Sequence, residues 1–152
     1  MKRKIALFAL TSLIFMTMIS TSACGKAALR EMSRSGTIGN FYVDIKDYRI
    51  TTRDFGDDWI ILITFDFTNN DSRERNFTSI FSTAVYQDGI RLDGVILTHG
   101  IENFDHRDAS RNIRPGRTLE LERAYILRNL RSPVEVVISR SGRTISRTFE
   151  IR

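Results

Sequence analysis

The side chains able to do chemistry in this sequence are few and loosely spaced. His99, Glu102, Asp105 and His106 lie close together, and imidazole nitrogens with carboxylate oxygens can ligate zinc. Their spacing matches no paired metal motif, and a polar loop on the edge of a β-sandwich would have the same composition. Asp54, Asp57 and Asp58 offer oxygen ligands to calcium but do not fill a loop motif, so solvated turn acids are expected there. Glu120 and Glu122 stand two apart on a strand pattern, which places both on one outward face. No Gly-x-Ser-x-Gly elbow and no Gly-rich phosphate loop accompanies the many Ser and Thr residues. The expectation is a non-catalytic protein with no metal and no cofactor. The alternative is a metal-dependent protein or enzyme that uses the His99–His106 segment.

The single cysteine excludes an intrachain disulfide and any zinc site built from several thiolates. Its position is informative. Lys2, Arg3 and Lys4 precede an uncharged stretch whose strongly apolar part, Ile5 to Ile19, is about as long as a secretory core and short for a bilayer span. Small residues then lead from Ser20 through Thr21, Ser22 and Ala23 to Cys24 and Gly25. This boundary resembles the bacterial lipobox, with Thr21 where that motif usually has Leu. The resemblance implies that residues 1–23 are a signal peptide and that Cys24 becomes the lipidated first residue. Ordinary secretory cleavage leaving a free thiol is the alternative. Two acyl chains would hold firmly, because each buried CH₂ contributes about 0.8 kcal/mol.

That reading changes the charge balance. The whole chain has 23 basic and 18 acidic residues, a formal +5. Residues 1–23 contain three of the basic residues and none of the acidic ones, so the mature net charge is +2. Residues 40–106 carry 6 basic and 12 acidic side chains, whereas residues 107–152 carry 11 and 5. Within the basic half, Arg128, Arg131, Arg140, Arg143 and Arg147 could meet anionic lipid headgroups or an anionic wall polymer if one surface gathers them. Otherwise a sandwich would pair arginines with the acidic half. Interleaved aromatics for base stacking are missing, so no nucleic acid is expected as a partner.

The elements that position these residues are strands. Residues 24–39 read as the lipidated Cys and a tether, with an r.m.s. span of roughly 20 Å as flexible coil; the folded domain is expected over 40–152. Phe41, Val43 and Ile45 alternate, and Tyr48 and Ile50 continue in the opposite phase, which predicts a β-bulge near Lys46–Asp47. Trp59 to Thr68 is the most apolar strand. Trp59, Ile61, Ile63, Phe65 and Phe67 share one face, with Trp59 the expected central core aromatic, and Ile60 and Leu62 mark the other face as buried too. Asp88-Gly89 predicts a tight hairpin between strands at 81–86 and 90–97. Residues 98–115 are irregular. Strands follow at 118–128, at 134–138, and at 144–151 after the Ser141-Gly142 turn. In the last, Arg147 shares the apolar phase of Ile145, Phe149 and Ile151, so either a bulge turns it out or its stem packs inward and its head reaches solvent. The sum is an all-β, two-sheet antiparallel sandwich of about seven or eight strands, with no disulfide and no helix longer than two turns.

Several short motifs recur along these strands: Val43-Asp44-Ile45-Lys46-Asp47-Tyr48, Phe67-Thr68-Asn69-Asn70, Tyr86-Gln87-Asp88-Gly89, Ile113-Arg114-Pro115-Gly116, Ala124-Tyr125-Ile126-Leu127 and Ser132-Pro133-Val134-Glu135-Val136. In this order and spacing, over Phe41 to Ser139, the chain resembles a family of immunoglobulin-like domains of unknown function from lipoproteins of Gram-positive bacteria. The resemblance implies an immunoglobulin-like sandwich outside the cell and supplies no catalytic or ligand residues. The expected function is a membrane-anchored binding or interaction domain at the extracellular face. Its expected partners are the membrane, through Cys24, and an envelope protein or anionic wall polymer. A purely structural envelope protein is the alternative outside catalysis.

Overall fold

Strand β2 (Phe41–Thr52) shows how the sequence pattern becomes structure. Phe41, Val43 and Ile45 are buried, and the pairing with β3 (Trp59–Asn69) shifts register between Ile45 and Asp47, so Tyr48 and Ile50 return to the core side. The computed structural model describes residues 33–52, 58–95 and 100–151. Within them β1 (Ser35–Ile38), β2, β3 and β6 (Arg117–Ile126) form one antiparallel sheet, in the order β1-β2-β3-β6. The second sheet has the order β5-β4-β7-β8, from Ile90–Arg91, Ser82–Gln87, Val134–Arg140 and Arg143–Phe149. Discounting β1, this split of strands between sheets is that of an immunoglobulin-like sandwich. The only helices among the described residues are single turns, α1 (Phe77–Ile80) and a 3-10 turn at Asp108–Ser110.

The two tight hairpins follow their turn residues. Asp88 and Gly89 have φ of 54° and 72°, and Ser141 and Gly142 have 48° and 77°, the left-handed pairs a two-residue hairpin needs. The domain begins earlier than Asn40. β1 pairs with β2 from Ser35↔Asp44 to Ile38↔Phe41, and Ile38 is buried. One core residue in a four-residue strand gives no periodicity, which is why the segment reads as tether. The strand expected over residues 90–97 is also shorter: after Arg91 the chain leaves the second sheet, and Gly94 bridges Tyr125 on β6 of the first.

The core is phenylalanine rather than tryptophan. Trp59 is 44% exposed, because its inward-facing position is the first of β3, at the end of the sandwich. Phe41, Phe65, Phe67, Phe77 and Phe81 pack instead with ring centroids 5.3–6.4 Å apart. α1 delivers Phe77, and its N-cap Asn76 Oδ1 accepts from the Ser79 N–H.

Arg147 follows the second expectation in its stem and departs from it in its head. β8 pairs with β7 without a register shift, so no bulge turns it out. Its stem packs inward, its guanidinium lies 4.4 Å from the Phe149 ring centroid, and Nη1 donates to the carbonyls of Ile45 and Lys46. Those carbonyls flank the β2 bulge, where the ladder is interrupted. One arginine therefore satisfies the irregularity of the opposite sheet. Arg147→Met keeps the stem but removes the donor, and should cost about 1.5–3 kcal/mol. Urea unfolding should show this as a lower midpoint with unchanged m-value.

Candidate functional site

The crossing segment, residues 92–95 and 100–116 of the described chain, reaches from the second sheet to the outside of the first. Val95 N donates to the Ala124 carbonyl and Ile126 N to the Asp93 carbonyl. This brings Val95, Ile101 and Phe104 over Ile60, Leu62 and Ala124, a small second core on the outer face. It explains why β3 is apolar on both sides.

Further along β6, past this cover, a polar cleft of about 430 Å³ opens between the crossing segment and the sheet. Asp105, Asp108, Glu120, Glu122 and Arg49 line it. Each carboxylate already has a cation. Arg49 holds Glu122 through two bonds of 3.0 and 2.9 Å, and also donates to the Glu102 and Asn103 carbonyls. Lys46 sits 2.6 Å from Glu120 and 3.3 Å from Asp66. Asp105 meets Arg107 at 3.1 Å, and Asp108 meets Arg111 at 2.9 Å. The backbone N–H and side chain of Arg107 hold the Asp105 carboxyl below its ordinary range. Hydrogen bonds to Glu120 and then Asp66 raise Lys46, and Glu122 raises Arg49. An Asp105 carboxyl held ionised in this way is a poor proton donor near neutral pH. Of these contacts, the Arg49 bonds to the Glu102 and Asn103 carbonyls tie the crossing segment to the sheet.

The acidic and imidazole residues singled out above do not converge within the described part. Glu102 and His106 are exposed, and Asp105 turns back onto Arg107. His106 borders a smaller cleft of about 160 Å³ with Phe104 and Arg123. His99, Asp54 and Asp57 lie outside the described residues, as does Cys24; Asp58 is exposed. No group of three or more His, Cys, Asp or Glu side chains among the described residues could hold a metal ion.

The five arginines are spread over the second sheet and its ends. Arg128 and Arg131 lie in the β6–β7 loop, and Arg140 and Arg143 flank the hairpin at the far end of β7, roughly 20 Å away along the strand. Arg140 Nη1 donates to the Ile38 carbonyl, and its guanidinium lies 4.5 Å from the Phe41 ring centroid. Arg128, Arg131 and Arg143 are exposed. None of the five forms an ion pair with a described residue. Contacts between the acidic and basic halves run through other residues: Arg114–Glu74, Arg107–Asp105, Lys46–Glu120 and Arg49–Glu122.

Two buried amides organise the loops, and neither was among the candidates. Gln87 ends the inward phase of β4 and is 1% exposed. Its Nε2 donates to the carbonyls of Asn129 and Ser132, both at 2.9 Å, while Oε1 accepts from the N–H groups of Arg128 and Asn129. Asn69 does the same at the other end. Fully buried as the last residue of β3, it donates to the Arg73 and Ile113 carbonyls and accepts from Asp71 N–H. The readable signal was a polar residue at an inward position of an alternating strand.

The model of a family described as a domain of unknown function, DUF5067, matches residues 22–140. The chain belongs to this DUF5067 family. The motifs noted above acquire a physical meaning here, because Asn69, Gln87, Ile113 and Ser132 all take part in the amide clamps. The DUF5067 match stops before β8, the strand that supplies Arg147. No curated protein matches the sequence. Solved structures match the DUF5067 sandwich at low identity. One from Staphylococcus aureus, described as a "putative lipoprotein", has a TM-score of 0.61 at 16% identity, over 77% of this chain and 92% of that one. A β-sandwich protein from Clostridium difficile gives 0.55 at 13%, over 78% and 91%. A protein from Enterococcus faecalis gives 0.57 at 16%, over 78% and 90%. These Gram-positive neighbours share the fold.

Proposed function

We propose that this protein is an exported lipoprotein, held at the outer face of the cell membrane by a diacylated Cys24, whose sandwich is a non-catalytic binding domain. The observation that carries the reading is the order of the first residues: three cations, an apolar stretch, small residues, and then the one cysteine of the chain. Two further facts support it. The family match begins at residue 22, so it takes in Cys24, and the Staphylococcus aureus neighbour carries a lipoprotein description. No helix among the described residues is long and apolar enough to cross a membrane. Support for a non-catalytic role comes from the polar cleft, where every lining carboxylate is matched by Arg or Lys. An envelope protein or an anionic wall polymer is the partner class that suits the exposed arginines.

The test is metabolic labelling with radioactive palmitate in the producing cells. Label should enter the wild-type chain and not Cys24→Ala, and the variant should leave the membrane fraction. A wild-type chain without label, or equal label in both, rejects the anchor.

A further inference from the structure

We propose that the end of the sandwich bearing Trp59, Ile90 and Leu130 rests on the bilayer surface to which Cys24 attaches the chain. The inference rests on the lipoprotein reading above and adds a second, non-covalent contact with the membrane.

The first support is position. Among the described residues three large apolar side chains are exposed: Trp59 at 44%, Ile90 at 46% and Leu130 at 38%. All three lie at one end. Trp59 opens β3, and its carbonyl accepts from Leu127 N–H at 2.8 Å as β6 finishes. Leu130 follows in the β6–β7 loop, and Gln87, which anchors that loop, is the residue paired with Ile90. Three scattered apolar residues would be ordinary on a soluble surface; three gathered at one end form a contact surface.

The second support is rigidity. Gln87 holds the backbone of residues 128, 129 and 132, Asn129 Oδ1 accepts from the N–H groups of Arg131 and Ser132, and Asn129 Nδ2 donates to Asp88 at 3.0 Å. Leu130 is therefore presented by a loop already in place, and a pre-ordered contact loses little entropy on docking. Arg128 and Arg131 bracket it and suit anionic headgroups, while a tryptophan ring suits the level between headgroup and acyl chain. Asp58 beside Trp59 and Asp88 at the turn offset part of that charge, so apolar insertion is the larger contribution.

The third support is chain direction. Ile45 N–H donates to the Arg34 carbonyl, so the described chain enters β1 beside Ile45, on the strand whose last residue, Thr52, is the partner of Trp59. From Ile45 to Thr52 is about 23 Å of strand. Residues 25–33 can span up to about 30 Å when extended. The lipid on Cys24 and the Trp59 end can therefore meet the same plane.

Trp59 is the only tryptophan in the chain, so its fluorescence reports this end alone. The full chain, purified from membranes, is reconstituted in vesicles of phosphatidylglycerol and phosphatidylcholine. Sedimentation with the vesicles reads the anchor, and Trp59 emission with quenching by brominated lipid reads the end. The expected result is a blue shift and quenching, both lost in Ile90→Ser with Leu130→Ser although sedimentation and melting temperature are unchanged. Arg128→Glu with Arg131→Glu should weaken the shift in phosphatidylglycerol more than in pure phosphatidylcholine. A chain that sediments but keeps unshifted, unquenched Trp59 emission overturns the proposal and leaves the anchor standing. The same spectrum moved by an envelope protein and not by lipid also overturns it.

Discussion

Gln87→Leu should cost the domain about 3–5 kcal/mol, far more than a change from one polar side chain usually costs. Leucine nearly fills the volume, so the loss is one of hydrogen bonding. Two carbonyls, of Asn129 and Ser132, and two N–H groups, of Arg128 and Asn129, lose their partner together. An unsatisfied buried group costs about 1–3 kcal/mol, and water entering the loop would recover part of the total. Gln87→Glu separates donors from size. The carboxylate still accepts from the N–H groups but faces two carbonyl oxygens, so this variant should be destabilised to a similar degree at neutral pH and recover partly on acidification. Urea unfolding with an unchanged m-value is the measurement. A loss below about 1 kcal/mol for Gln87→Leu would contradict the clamp.

Phe67→Ala should be the most damaging core truncation, at about 3–5 kcal/mol. Phe67 is fully buried, and its ring meets Phe41, Phe77 and Phe81 at centroid distances of 6.0, 5.8 and 5.9 Å. Alanine leaves a cavity among three rings, one on β2 and two at the ends of α1, so collapse around it is limited. The melting temperature should fall by roughly 12 °C or more. Trp59→Ala is the paired control. It removes a larger side chain, yet one nearly half exposed, and should shift the melting temperature much less. Equal effects from the two would show that Trp59 is part of the core after all.

That contrast also marks how far the sequence could be read. Alternation assigns a side chain to a face, and it does so correctly for Ile61, Ile63, Phe65 and Phe67. It carries no information about level along the strand, and level is what leaves Trp59 at the rim. The bulge after Ile45 was legible because Tyr48 and Ile50 stand in the opposite phase to Phe41, Val43 and Ile45. Its consequence was not, since the two carbonyls it frees are met by Arg147 from about a hundred residues later. β1 was hidden by having a single core residue. On the candidate surfaces, the Asp88-Gly89 turn and the arginine-rich β6–β7 loop were visible separately; that Gln87 binds them into one end depends on the pairing of β4 with β7 within the second sheet. Glu120 and Glu122 were correctly placed outward, but their partners Lys46 and Arg49 reach them across β3 from β2, a neighbourhood that only the fold creates.

The clamps built on Asn69 and Gln87 have a consequence for divergence. Every bond they make across to a loop ends on a backbone atom. The hold these clamps have on each loop is therefore independent of most side chains the loop carries, Asn129 being the exception in the β6–β7 loop. A lineage could replace Arg128, Leu130 or Arg131 wholesale and keep the same loop shape, in the way a fixed mount accepts different tools. Folds of this kind can retain their geometry while the chemistry displayed at each end is rewritten, one exposed residue at a time.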